Sequence, residues 1–231
     1  MKNVLVGIAV SVLLSAGVFA ADSAPVIKEV KSFPSVDGAG YEAKVKDLTK
    51  IKFGDMSGTP AVQAFLGYND KELYVLMVSA ETNPDGIVTA YTDTKNDRDE
   101  KNLWKDDCVE LFLANTSANW NAYYQIIVNS KGVVTDAKAE GADSSDTSWN
   151  ADVKTKSSMI PKAGGKPAFW IVEIRIPFKD LGAAPKKGEM WKINLARERK
   201  EDKSDFSWAK IEGSFHQPEL FEKIYFGEAG K

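Results

Sequence analysis

A chain of 231 residues with 30 basic and 33 acidic side chains carries a formal net charge of −3 and has one histidine and one cysteine. It has no basic run to grip nucleic acid or an anionic membrane surface, no second cysteine for an intramolecular disulfide, and no set of histidines for a multi-histidine metal centre. A hydrophobic content of 43% is adequate for a core that holds without covalent staples.

The first twenty residues, "MKNVLVGIAVSVLLSAGVFA", combine a basic start at Lys2 with an apolar run and a small residue at the end. This is the pattern of a secretory signal peptide, with a cut expected after Ala20. No Cys follows for a lipid anchor, and no later stretch is long and apolar enough to span a bilayer. The reading is a secreted or periplasmic protein, free of the membrane after cleavage. Loss of Lys2 leaves 29 basic against 33 acidic side chains, a charge of −4. Residues 21–231 read as one domain, since no repeat or interdomain linker interrupts them.

Beyond the leader, "AVQAFLGYN" (61–69) and "ELYVLMVSA" (72–80) are two strands joined by an Asn-Asp-Lys turn. "DCVELFLA" (107–114), "AYYQIIVN" (122–129), "FWIVEIRIPF" (169–178), "MWKINLARER" (190–199) and "KIYFG" (223–227) read as further strands, and Ser130-Lys131-Gly132 turns the chain into "VVTDA". The charged segment 93–101 and the Ser- and Asp-rich segment 139–153 read as loops. Helical periodicity is weak; "FKDLG" after Pro177 is at most one turn, stopped by Gly182. Many strands separated by turn signals predict an all-β sandwich of two antiparallel sheets. Trp170 and Trp191 start strands and are expected in the core, as is Cys108.

Enzyme signatures are missing. There is no P-loop, no G-x-S-x-G, no H-E-x-x-H and no C-x-x-C. The informative stretch is "NLWKDDCVELFL" (102–113). Alternation puts Val109, Leu111 and Leu113 on one face, expected toward the inter-sheet core, and Cys108, Glu110 and Phe112 on the other. A carboxylate in such a strand costs several kcal/mol unless something pairs with it. In the next strand Gln125 and Asn129 share a face, so Glu110 could join them on a polar, aromatic-flanked surface suited to a neutral polyol. A structural hydrogen-bond network reads equally well from spacing alone. Trp104 and Trp208 stand among polar neighbours ("KNLWKDD", "SDFSWAK"), the setting of a ligand platform or of a plug at the end of a sandwich.

The segments "VDG" (36–38), "GYNDKELYVLM" (67–77), "LWKDDCVELFL" (103–113), "YYQIIVNSKG" (123–132), "WIVEIRIPFKDLG" (170–182), "GEMWKINLARER" (188–199) and "FSWAKIEGSFHQPELFEKIYFG" (206–227) together resemble a family 9-type carbohydrate-binding module, within the wider DOMON-like β-sandwich group. The resemblance implies a non-catalytic domain that sandwiches a sugar ring between two tryptophans and hydrogen-bonds its hydroxyls. On this reading Trp104 and Trp208 are the stacking pair and Glu110 the hydroxyl-binding glutamate. Gln125 matches the tyrosine–glutamine strand, and Asn194 with Arg197 the N-x-x-R signature. Asp205 falls where an asparagine is usual, and Ile127 or Lys131 where an arginine is usual. The ligand would be a mono- or oligosaccharide, bound with micromolar to millimolar affinity (about −4 to −8 kcal/mol).

Two other functions follow from particular residues. DOMON-like sandwiches include b-type haem proteins, for which His216 with Met56, Met77, Met159 or Met190 would supply ligands. A glycosidase would need Glu110 with a second carboxylate such as Glu173 or Asp107; alternation turns Asp107 to the other face. Asp93, Asp97 and Asp99 form an oxygen-rich loop that could hold a structural calcium ion, although without EF-hand spacing. No other cofactor is implied.

Overall fold

The computed structural model describes residues 24–56, 59–115, 119–142, 144–163 and 167–227, so the expected signal peptide lies outside it. The strands are β1 (Val26–Glu29), β2 (Thr49–Met56), β3 (Thr59–Tyr68), β4 (Glu72–Glu81), β5 (Cys108–Ala114), β6 (Ala122–Asn129), β7 (Val134–Glu140), β8 (Ser144–Asp146), β9 (Lys154–Ile160), β10 (Ala168–Pro177), β11 (Met190–Arg199), β12 (Ser204–Ser207) and β13 (Glu222–Phe226). Among the described residues one short α-helix, α1 (Tyr41–Lys44), interrupts them.

The strands run in the order β8-β7-β6-β5-β11-β13-β1-β3-β4-β10-β9, with β12 beside β11 and β2 beside β3. This curled sheet folds into two antiparallel layers. β1 is the seam between them: Val26 and Ile27 lie opposite Tyr225 and Phe226 of β13, whereas Lys28 and Glu29 lie opposite Gly67 and Tyr68 of β3, both in parallel. β11 is divided lengthwise, its first half bonded to β13 and its last to β12.

Period-2 alternation supplies the core. Val109, Leu111 and Leu113 face inward, as expected, and meet Ile126 and Val128 of β6 and, from the other layer, Val75, Met77, Val172 and Ile174. Trp170 and Trp191 are buried there. Gly182 stands at φ +83°, closing the turn after Phe178 that the sequence predicts.

β5 is buried at all seven positions. Its outer face is covered because the segment after β12 crosses the first layer: Ile211, Phe215 and Phe221 pack on Phe112, Tyr123 and Ala196. This is why the strand reads as apolar on both faces. Elsewhere the sequence reading needs correction. β7 extends through Glu140, and Ser144–Asp146 pairs with it, inside a stretch expected to be loop. β1, β2, β9 and β12 were also not anticipated. All of these are short or lie at sheet margins, where one solvated face leaves little apolar pattern to read.

Leu111 is fully buried between the layers. Leu111→Ala should lower the unfolding free energy by about 2–5 kcal/mol, read as a drop in the urea midpoint at unchanged m-value.

Candidate functional site

The site is built on β5 and the turn before it. Leu103 is fully buried beside Cys108 and Ile127, anchoring a single 3₁₀ turn, Leu103–Lys105. The next residue in that turn, Trp104, is 46% exposed, which makes it an outward platform rather than a core residue. The ammonium groups of Lys105 and Lys200 lie 5.5 and 5.3 Å from its ring centroid. The two aspartates that follow turn inward. Asp106 accepts from the Ala90 and Tyr91 amides and from Asn129 Nδ2, and Asp107 accepts from the Val88 amide, so the 88–91 segment is tied to the start of β5.

Glu110 is buried at the floor of a cavity of about 610 Å³ that opens beside Trp104. Gln125 Nε2 donates to its Oε2 at 2.7 Å. Its other near neighbour is Glu198 of β11, a second buried carboxyl with an oxygen within 4.8 Å of one of its own. A second carboxyl this close opposes the ionisation of the first. Burial, then the charge of Glu198, accordingly push the Glu110 carboxyl well above the ordinary carboxylate range. Lys200 pairs with Glu198 from the solvent side. The floor is therefore a row of one amide, two carboxyl groups and an ammonium, able to donate and accept toward hydroxyls. Cys108, Glu110 and Glu198 place ligand atoms within 4.8 Å of one another, the only such grouping with metal-binding composition among the described residues. Burial raises the Cys108 thiol well above its usual range, in keeping with an inert core residue.

Along β5, Trp104 stands at the Cys108 end and His216 at the Phe112 end, its ring 5.7 Å from that of Phe112. His216 Nδ1 and the Tyr123 hydroxyl are hydrogen-bonded at 2.6 Å, and burial lowers the pKa of the imidazole. Asp205, exposed on β12, reaches the same cavity.

The remaining predicted site residues go elsewhere. Trp208 does not line this cavity; it packs against the inter-sheet core and borders a separate one. Asn129 shares the Glu110 face, as expected, but its side chain bonds to the Tyr91 carbonyl, Asp106 and the Lys131 and Val133 amides, closing a turn. Asn194 Oδ1 accepts from Ser207 Oγ and the Ala209 amide, fixing the exit of β12. Arg197 lies on the opposite face of β11, fully buried, 3.0 Å from Glu81 and 2.7 Å from Asp107, with Trp170 beneath its guanidinium. All three hold the fold. Ile127 borders the cavity, whereas Lys131 does not.

The carboxylates named for a glycosidase do not converge. Asp107 is held by Arg197 on the core side of β5, and Glu173 is bound in the other layer by Lys44, Tyr74 and the Gly38 amide. Nor does His216 meet the proposed haem partners: Met77 is in the inter-sheet core, Met159 is exposed on β9, and Met190 is four residues along β11 from the position opposite Phe112. The Met56 side chain lies outside the described residues. In the acidic loop, Asp93 and Asp97 accept from their own loop amides, and Asp99 faces Arg98 and Asp136.

Glu198, Lys200 and Lys101 were missed by the sequence reading. Alternation along "NLARER" does put Glu198 on the Asn194 face; only the pairing of β11 with β5, Glu198 opposite Cys108, brings it to Glu110.

Two outcomes are expected. Below the ordinary carboxylate range, folded and unfolded chains both hold the Glu110 proton and the pair has no effect on stability. As pH rises past that range the unfolded chain releases its proton first, so stability falls, by at most about 1.4 kcal/mol per pH unit, until Glu110 ionises in the fold. Glu110→Gln should flatten this decline in urea midpoints measured from about pH 4 to about pH 8; parallel curves would show that the Glu110 carboxyl is not raised in the fold. Arg197→Leu leaves Glu81 and Asp107 buried without their cation and should cost about 3–5 kcal/mol, read as a drop in the urea midpoint.

A family profile described as carbohydrate family 9 binding domain-like matches residues 36–226. No curated relative matches the chain. Among solved structures, a putative carbohydrate-binding protein from Bacteroides uniformis is 18% identical, superposes with a TM-score of 0.65, and the match covers 88% of this chain and 98% of that one. A family 9 carbohydrate-binding module from Caldicellulosiruptor kristjanssonii in complex with glucose is 17% identical, TM-score 0.60, covering 89% and 97%. The structure with cellotriose gives 16%, 0.57, 90% and 95%. At these identities the superpositions establish the shared fold.

Proposed function

The chain belongs to the carbohydrate family 9 binding domain-like family, and from that premise we propose that it is an exported, non-catalytic protein that binds a mono- or oligosaccharide in the cavity beside Trp104. One observation carries the reading: an exposed indole stands at the mouth of a cavity whose floor is a buried Glu110, hydrogen-bonded to Gln125 and set beside Glu198. An indole face covers the C–H surface of a pyranose, and the polar floor exchanges hydrogen bonds with its hydroxyls at about 1.5–3 kcal/mol for each charge-assisted one. A few such contacts on one aromatic face fit affinities in the micromolar to millimolar range, about −4 to −8 kcal/mol.

The platform is one-sided. Trp104 supplies the stacking face, Lys101 and Lys200 the rim, and Phe215 with His216 the far end. Glucose and cellotriose, the ligands of the Caldicellulosiruptor module, are the first sugars to try. Export rests on the leader-like residues 1–20.

Tryptophan fluorescence of the chain lacking residues 1–20, titrated with neutral sugars of increasing length, should give a saturable change. Trp104→Ala should weaken binding at least about tenfold, a loss of about 1.4 kcal/mol, and Trp208→Phe should leave it within about twofold. A folded protein with no response to any sugar, or one whose response depends on Trp208 instead, would overturn the assignment.

A further inference from the structure

Trp208, set aside by the first cavity, borders a second of about 750 Å³, within the size range of ligand sites. This one opens where β2, an edge strand of its layer, faces the exit of β12 and the start of β13. Phe53, Trp208 and Phe221 supply its apolar lining, and Lys52, Lys210 and Lys223 stand around them. Counting Lys50 and Glu222, four lysines border the cavity against one carboxylate, in a chain whose acidic side chains outnumber the basic ones by 33 to 30. Lys50 leans over Phe65 on the outer face. Lys52, Lys210 and Lys223 form no ion pair among the described residues.

The lip of this cavity is held in an uncommon conformation. Lys210 has φ +52°, the left-handed region that a non-glycine residue adopts at a cost. The turn is fixed by bonds from the Lys210 amide to Ser207 and from the Trp208 amide to Leu195. Trp208 is packed on the core, yet its indole N–H has no hydrogen-bond partner among the described residues and is not sealed from solvent. A fixed indole with a free donor, ringed by unpaired ammonium groups, suits a ring that carries its own negative charge.

We propose that this second cavity binds an anionic saccharide, a uronate- or sulfate-bearing chain, with one ring on Trp208 and its acidic groups on Lys52, Lys210 and Lys223. The site is separate from the one beside Trp104, and β12 contributes to both: Asp205 to the first and Ser207 to the second. A polymer with one charge per ring matches three lysines on an otherwise acidic protein better than a nucleic acid, whose denser charge the surrounding carboxylates oppose.

The test is calorimetric titration of the chain lacking residues 1–20 with trigalacturonate and, as a second acidic probe, a sulfated trisaccharide. At least one should bind, with affinity that falls as salt is raised. The exposed double variant Lys52→Glu/Lys223→Glu should weaken that binding at least about tenfold without moving the melting temperature, Trp208→Phe should weaken it too, and Trp104→Ala should leave it unchanged. Binding of neither probe overturns the proposal, as does binding lost in Trp104→Ala but kept in the double variant. Equal competition by inorganic sulfate or by a short oligothymidylate would reduce the cavity to a general anion site and also overturn it. Neutral-sugar binding, read separately, stands or falls on the Trp104 cavity.

Discussion

A carboxyl in a strand with no solvent-facing position has to be neutralised inside the protein, and the architecture around Glu110 follows from that requirement. β5 can be central to the first layer only if both of its faces are covered. One face meets the aliphatic core; the other must be sealed by the 211–221 segment at the Phe112 end and by a second carboxyl, an amide and an ammonium at the Glu110 end. The same register that places Glu198 opposite Cys108 also puts Arg197 opposite Val109, on the core side. One residue of slip in β11 would exchange the two, leaving Arg197 beside Glu110 and Glu198 facing Asp107. The charge pattern thus fixes the register that the hydrophobic pattern allows.

Two adjacent motifs show how short-range sequence is divided between fold and cavity. In "LWKDDC" the leucine anchors, the tryptophan projects, and both aspartates turn back to hold the preceding segment. In "NLARER" the asparagine and the first arginine serve the fold, whereas the glutamate between the arginines serves the cavity. The resemblance to a carbohydrate-binding family pointed to both motifs, but it could not apportion these roles, because apportionment depends on which face of each strand is covered.

Much was legible where a strand carries its own pattern. The long strands β3, β4, β5, β6, β10 and β11 alternate clearly enough to read, and Trp104 and Glu110 stood out because each breaks the polarity of its neighbourhood. Trp208 broke it too, among Ser, Asp and Lys, yet packs on the inter-sheet core, since β12 lies beside β11 rather than in free solvent. Local polarity cannot report such a neighbour, which comes from pairing at a distance. The margin strands failed for the opposite reason: β9 reads "KTKSSMI" and owes its conformation to β10 rather than to apolar residues of its own.

The seam strand has a mechanical consequence. β1 and β13 run parallel, joined by bonds such as Tyr225 N–H to the Pro25 carbonyl and Gly227 N–H to the Ile27 carbonyl. A pull that draws the chain apart at Pro25 and Gly227 acts along these strands in opposite senses and stretches the bonds between them together, as shear, instead of opening them one at a time like a zip. The same strand is stitched to β3 as well, so a force drawing on the two ends meets the join between the layers before it reaches either core.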